Sequence, residues 1–212
     1  MDKRWFFSAK PKTVLTGKKL YQFGGAKGQI FVTAKEACSV VRCGKNLMRP
    51  VGDMPVTITS ATKLPLFILR TAYIAHYKEI LKHTRTYSFS ISKNTTTKRY
   101  IDCQENTNEY ATGYMRIAAG KTGNFKTFIT NTTSTYTRNV LAGCYYFANK
   151  TISEGEEVEV SNFMCALGND NAFEPYTGIN RELAAGETVA IPALDGINTI
   201  IGSSELTVQY EV

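Results

Sequence analysis

Thr86-Tyr87-Ser88-Phe89-Ser90-Ile91-Ser92 is the stretch on which the fold class turns. Aromatic and β-branched side chains at 87, 89 and 91 alternate with serines at 88, 90 and 92. A period of two is that of a strand, so the first set faces a core and the second set faces away from it. A second alternating stretch, 110–118, divides in the same way. Ala111, Gly113, Met115 and Ile117 form a small apolar face, and Tyr110, Thr112, Tyr114 and Arg116 point the opposite way. Further strands are expected at 98–103, 125–130, 144–148, 156–166, 187–191 and 205–211, where β-branched and aromatic residues are punctuated by Gly, Asn and Ser. That number of short antiparallel strands suits two packed sheets, and the chain reads as an all-β sandwich.

Helical signals are confined to residues 71–83. There Tyr73, Ile74, Tyr77, Ile80 and Leu81 approximate one amphipathic face, and His76 and His83, seven apart, would share one side of the helix. No Ser, Cys or Asp around the two histidines resembles a nucleophile elbow or a metal motif, so a structural or surface role is expected of them. The Thr-rich stretches Asn94-Thr95-Thr96-Thr97 and Asn131-Thr132-Thr133-Ser134-Thr135 read as loops or strand edges. Both match the glycosylation sequon, as does Asn149-Lys150-Thr151, and with no export signal the match is expected to be chance.

With 212 residues, 43% hydrophobic and 20% charged, the composition is that of a globular protein with a sizeable core rather than a disordered or collagen-like chain. The longest apolar stretch, 64–75, is broken by Pro65 and Arg70 and is too short for a membrane helix, which needs roughly 20 residues. The start, Met1-Asp2-Lys3-Arg4-Trp5-Phe6-Phe7, lacks the apolar core of a secretion signal. Cys38, Cys43, Cys103, Cys144 and Cys165 form no CxxC pair and have no His at zinc-ligand spacing, so free buried thiols are expected; a Cys38–Cys43 disulfide across a hairpin is the alternative.

Charge is polarised along the chain. Residues 1–150 hold 24 Lys and Arg against 7 Asp and Glu, a balance of +17, whereas residues 151–212 hold 1 against 11, a balance of −10. Either the acidic part lies against a basic surface, its own or a neighbour's, or both parts are simply solvated. The basic residues are scattered rather than clustered on one face, which argues against nucleic-acid binding. Glu154-Gly155-Glu156-Glu157-Val158-Glu159 is expected to form a solvated or interface face of a turn and strand, in preference to a glycosidase pair or a calcium site.

Four stretches in order carry a resemblance: Cys43-Gly44-Lys45-Asn46-Leu47; Arg85-Thr86-Tyr87-Ser88-Phe89-Ser90; Leu167-Gly168-Asn169 through Phe173-Glu174-Pro175-Tyr176-Thr177-Gly178; and Pro192-Ala193-Leu194-Asp195-Gly196-Ile197-Asn198-Thr199-Ile200 with the ending Leu206-Thr207-Val208-Gln209-Tyr210. This layout resembles that of tail and other virion structural proteins of phages of Gram-positive bacteria. The resemblance implies a jelly roll like that of carbohydrate-binding modules over residues 43–178, opened by Gly-Lys-Asn-Leu and closed by Glu-Pro-Tyr. It also implies a small second β unit formed by the arms 1–42 and 179–212. The chain departs from the pattern at Met164-Cys165-Ala166-Leu167, where relatives carry a Gln-Leu-Glu-like strand, and at Phe173, where they carry Tyr. It lacks their glycine-rich hairpin, which residues 51–66 replace. These departures bear on ligand binding more than on fold.

Binding is a better prospect than reaction, because no acid/base pair stands at a defined spacing and the glycines near Lys18 are wrongly spaced for a phosphate loop. Tyr110, Tyr114 and Arg116, with Tyr145 on an expected neighbouring strand, are the candidate ligand face. They suit a protein interface first and a sugar platform second. No catalytic residue, metal or cofactor is expected. The implied protein is a non-enzymatic phage virion subunit, a capsid decoration or a tail or baseplate accessory, assembled in the host cytoplasm and released by lysis. Its expected partners are copies of itself in a trimer, other virion proteins and a host-surface glycan, with neither nucleic acid nor membrane. A free-standing carbohydrate-binding module is the alternative, and a hydrolase is the least supported reading.

Overall fold

The structure is a computed structural model that describes residues 12–47, 55–61, 67–68, 74–97, 100–106, 111–130, 144–147, 152–169 and 172–212. In chain order the strands are β1 Lys12–Phe23, β2 Lys27–Ala34, β3 Cys38–Cys43, β4 Val56–Thr59 and β5 Phe67–Ile68. A helix, α1 Ile74–Leu81, follows, then β6 Arg85–Asn94, β7 Tyr100–Asn106, β8 Ala111–Ala118, β9 Gly123–Ile129 and β10 Cys144–Phe147. The last four are β11 Glu157–Leu167, β12 Ile179–Leu183, β13 Thr188–Pro192 and β14 Asn198–Glu211. The protein is all-β, as the alternating stretches predict, and it divides into two compact units: Met1–Arg42 with Asn180–Val212, and Cys43–Ile179.

The larger unit is a jelly roll. Its eight strands form two four-stranded sheets, in the orders β4-β11-β6-β9 and β5-β10-β7-β8. Counted from β4 as the first strand, these are 1-8-3-6 and 2-7-4-5, the arrangement of two interlocked Greek keys, and every pairing is antiparallel. β6 lies inside its sheet between β11 and β9. Tyr87, Phe89 and Ile91 are buried, and the ring of Phe89 stacks on Phe125 and Phe163 at centroid distances of 5.8 and 6.5 Å.

Polar groups seal the ends of this unit. Arg85, fully buried at the start of β6, donates from its guanidinium to the carbonyls of Leu81 and His83 at 3.1 and 3.0 Å, so the cation caps the C-terminus of α1. The helix ends at Leu81. His76 is therefore in the helix and buried, while His83 lies beyond it with its side chain 42% exposed, so the two do not share one side of a helix. Thr86 Oγ1 donates to Gly168 O at 2.6 Å, and Gly168 N to Thr84 O at 2.8 Å.

The opening and closing segments are clasped by one carboxamide. Asn46, 1% exposed, donates from Nδ2 to Phe163 O (3.1 Å) and Glu174 O (3.2 Å), while its Oδ1 accepts from Cys165 N (3.2 Å). Leu47 N adds a bond to Cys165 O at 2.8 Å, and the buried ammonium of Lys45 lies 3.4 Å from the Glu174 carboxylate. One asparagine thus ties the chain just after Cys43, the middle of β11 and the segment after Phe173 into a single knot.

In the smaller unit β12, β3, β14, β2 and β13 lie in that order, and β1 pairs with β14 over almost its whole length. Ile30, Val32, Ala34, Val40, Ile200, Leu206 and Val208 form the core, and Phe23 stacks face to face on Tyr210 at 4.0 Å. Those two rings come from opposite ends of the β1–β14 ribbon, since Phe23 is the register partner of Asn198 and Tyr210 that of Thr13, so the ribbon curls onto itself. Asn198, fully buried, staples the turn before β14 by accepting from Leu194 N (2.8 Å) and donating to Leu194 O (3.0 Å). Cys38 and Cys43 stand at the two ends of one strand, roughly 16 Å apart at 3.3 Å per residue. That rules out a hairpin disulfide between them; both are free and buried, as is Cys165.

The curl needs a bend in β14. The register jumps from Leu20↔Ile201 to Lys18↔Leu206, opposite a β1 segment that holds Gly17 at φ 78°. Within the bend a Cβ at Gly202 would lie 2.7 Å from Ser204 O and 2.8 Å from side-chain carbons of Leu206. Gly202→Ala is expected to lower stability by about 1–3 kcal/mol through this clash, as read from urea unfolding. Gly24→Ala, where nothing lies within 4 Å, should stay within about 0.5 kcal/mol. Equal stability of the two variants would contradict the bend.

Candidate functional site

The outward side of the β11–β6–β9 sheet carries a cleft of about 350 Å³. It arises from the same alternation that buries Phe89. With 87, 89 and 91 committed to the core, Ser88 and Ser90 face outward, and the register sets them beside Lys126 and Asn124 of β9. On the other flank β11 is irregular between Ser161 and Met164, and Asn162 sits in the left-handed region at φ 52°, a conformation asparagine tolerates better than most residues. That twist brings its carboxamide to β6. Asn162 Nδ2 donates to Ser90 Oγ at 3.3 Å, and Ser90 Oγ donates to Asn124 Oδ1 at 2.7 Å.

The chain Asn162→Ser90→Asn124 leaves Asn124 with its NH2 and Asn162 with its carbonyl oxygen. Among the described residues neither group has another partner. Phe173, 46% exposed, forms a wall of the cleft, and Phe128, 47% exposed, stands on the same side of β9 two residues beyond Lys126. The wall is fixed from behind, because Glu174, the next residue, is held by Asn46 and Lys45.

The residues nominated from sequence lie on the other sheet. Tyr110 is outside the described residues. Tyr114 and Arg116 are in β8, where Arg116 is exposed and its neighbour Ile117 is buried, as the alternation over 110–118 requires. Tyr145 is in β10. β7 lies between β10 and β8, so Tyr145 is not on a strand adjacent to Tyr114 and Arg116. The backbone register runs Tyr145↔Glu105↔Thr112 and Asp102↔Arg116, which puts positions 112, 114, 116 and 145 on one side of the pleat with two acidic positions between them. A continuous tyrosine platform is therefore interrupted by β7.

The acidic stretch 154–159 differs from a solvated face at its centre. Glu156 is 9% exposed and turns back to close the Thr97 loop: its carboxylate accepts from Thr97 N (2.8 Å), Thr97 Oγ1 and Ser153 N (2.8 Å). Its flanking acids do face outward, Glu157 pairing with Lys93 and Glu159 accepting from Ser92 Oγ. Asn94, the asparagine of the first sequon, is occupied in an Asx turn. Its Oδ1 accepts from Thr96 N and its Nδ2 donates to Lys121 O at 2.9 Å.

Part of the polarised charge is paired within the units. Lys35–Glu205 in the smaller unit, and Lys45–Glu174 and Lys93–Glu157 in the jelly roll, each join a base from the first 150 residues to an acid from the last 62.

Sequence reasoning missed the cleft because Ser88, Ser90 and Asn124 read as an ordinary solvent face. The only local signal was the serine alternation itself, and the left-handed Asn162 that converts it into a site is invisible to periodicity. None of the family models, curated proteins or solved structures compared with this chain matches it.

The Thr97 hydroxyl, with the backbone amides of Ser153 and Thr97, holds the Glu156 carboxyl at about 2, well below its usual range. As pH falls, the unfolded chain takes up this proton first. The stabilisation is complete above about pH 4.5 and is lost on descending toward pH 2. Urea unfolding across that window should show a shallower fall for Glu156→Gln than for the native chain; parallel curves would contradict the bonded carboxylate.

Proposed function

We propose that this chain is a non-enzymatic structural subunit of a bacteriophage virion, in which the jelly roll is the domain presented for binding and the β unit built from both chain ends is the element for assembly. The observation that carries the reading is topological. A complete jelly roll is inserted between Arg42 and Asn180 of a β unit to which both the N-terminal and the C-terminal segments contribute. An inserted domain of this kind can vary its outward surface without disturbing the unit that carries it.

The surface of the smaller unit supports the assembly role. Ala190, Phe31, Gln209 and Val14 form one cross-strand row on its outer face. Phe31 is 42% exposed and Val14 55%, an apolar outer row on a sheet whose other side already buries the unit's core. Self-association through this row gives a symmetric oligomer, and three copies is the state the reading favours.

Two measurements test this. Light scattering on the purified protein should give a trimer that Phe31→Glu converts to monomer. Gold-labelled antibody against the chain should decorate gradient-purified particles of the phage that encodes it. A stable monomer, together with label found only in the soluble lysate, would overturn the proposal.

A further inference from the structure

We propose that the cleft on the outward side of the β11–β6–β9 sheet is a saccharide-binding site, with Asn124, Asn162 and Ser90 as its hydrogen-bonding set, Lys126 as the partner of an anionic substituent, and Phe173 as the surface on which a sugar ring stacks. The inference deepens the binding role given to the jelly roll above, and names both the place and the chemistry.

The argument starts from what lines the cleft. Its volume of about 350 Å³ falls at the small end of ordinary ligand sites, which run roughly 300–1,000 Å³. The polar groups are hydroxyls and carboxamides, which donate and accept, and so can match a ligand that presents hydroxyls of both kinds. Ser90 is already oriented by its two neighbours, which leaves the Asn124 amide hydrogens and the Asn162 carbonyl oxygen as a donor and an acceptor flanking one hydroxyl. Ser90 and Asn124 are register partners on β6 and β9, and Asn162 sits in the bulge of β11 beside them, hydrogen-bonded to Ser90, so little ordering is required when a ligand arrives.

The apolar part is equally selective. The exposed ring of Phe173 suits the C–H face of a sugar ring, and Phe128 farther along β9 offers a second surface for a longer chain. The wall and the bulge share one support. Asn46 bonds Glu174 O, next to Phe173, and Phe163 O, next to Asn162, so the two sides of the cleft are held at a fixed spacing by one buried carboxamide. Asn46 is a positioning residue here and does not touch the ligand.

Other ligand classes fit less well. Among the described residues no carboxylate lines the cleft and a single cation does, which disfavours cationic ligands and gives too little positive charge for a polyanion or nucleic acid. An extended peptide adds to a sheet through the backbone of an edge strand, whereas these groups project from the face of the sheet. A purely apolar ligand would leave both carboxamides unpaired.

The test is an array of neutral, carboxylated and phosphorylated oligosaccharides probed with the full-length protein, alongside an array of peptides. Retention on oligosaccharides is expected, strongest on an anionic set. Asn124→Ala and Phe173→Ala should each weaken it by about tenfold, and Lys126→Ala should remove the preference for anionic sugars while keeping the neutral ones. Tyr114→Ala, on the opposite sheet, should leave retention unchanged. The circular dichroism spectrum and melting temperature of the Asn124, Lys126 and Phe173 variants should match the native chain's, because these three side chains are exposed. Absence of retention on every oligosaccharide, retention on peptides alone, or loss with Tyr114→Ala but not with Asn124→Ala would overturn the site. Decoration of particles by antibody is scored separately, so a failed glycan site and a failed virion assignment are told apart.

Discussion

The larger unit depends on the burial of one carboxamide. A jelly roll brings distant parts of the chain together, and Asn46, Phe163, Cys165 and Glu174 span almost the full length of this one. Closing so long a loop costs conformational entropy that no local contact offsets. Asn46 meets that cost at one point with three hydrogen bonds to backbone groups, two of them in a buried setting. Lys45 adds a nearly buried ammonium whose counter-charge, Glu174, is half exposed and so needs little desolvation. The same knot holds the backbone on either side of the cleft, which links closure of the fold to the geometry of its surface.

The four stretches set apart in the sequence perform structural work of this kind. Asn46 clasps, Arg85 caps α1, Gly168 receives Thr86 at a φ of 69°, Glu174 anchors, and Asn198 staples a turn. These residues secure folding, while Ser88, Ser90 and Phe173 of the same stretches line the cleft together with Asn124 and Lys126 of β9 and Asn162 of β11.

What the sequence reveals follows from which physical signal each element emits. β6, β8, β9 and β11 carry alternating apolar residues over at least part of their length, so the sequence marks them directly, and Tyr87, Phe89 and Ile91 are core as their period demands. β14 is read only from 205 onward because Gly202-Ser203-Ser204 looks like punctuation; in three dimensions it is a bend inside one strand whose two halves both pair with β1. β4 and β5, of four and two residues, are too short to show a period. The helix is foreseen, but not its stop at Leu81, which the Arg85 guanidinium sets from outside the helix. Glu156 is misjudged as solvated because its partners, Thr97 and Ser153, come together only through the turn geometry. The binding face fails for a related reason. Tyrosine and arginine announce themselves by residue type, whereas the Ser90, Asn124 and Asn162 triad exists only once the strand order β11-β6-β9 is known.

The most direct measurement of this account is the unfolding free energy of Asn46→Ala. Removing the carboxamide leaves Phe163 O, Glu174 O and Cys165 N without their partner, and a loss on the order of 3 kcal/mol is expected in urea unfolding, against a change within about 0.5 kcal/mol for the surface substitution Asn124→Ala. An Asn46→Ala chain as stable as the native one would show that the jelly roll closes without this clasp, and the account would be wrong at its centre.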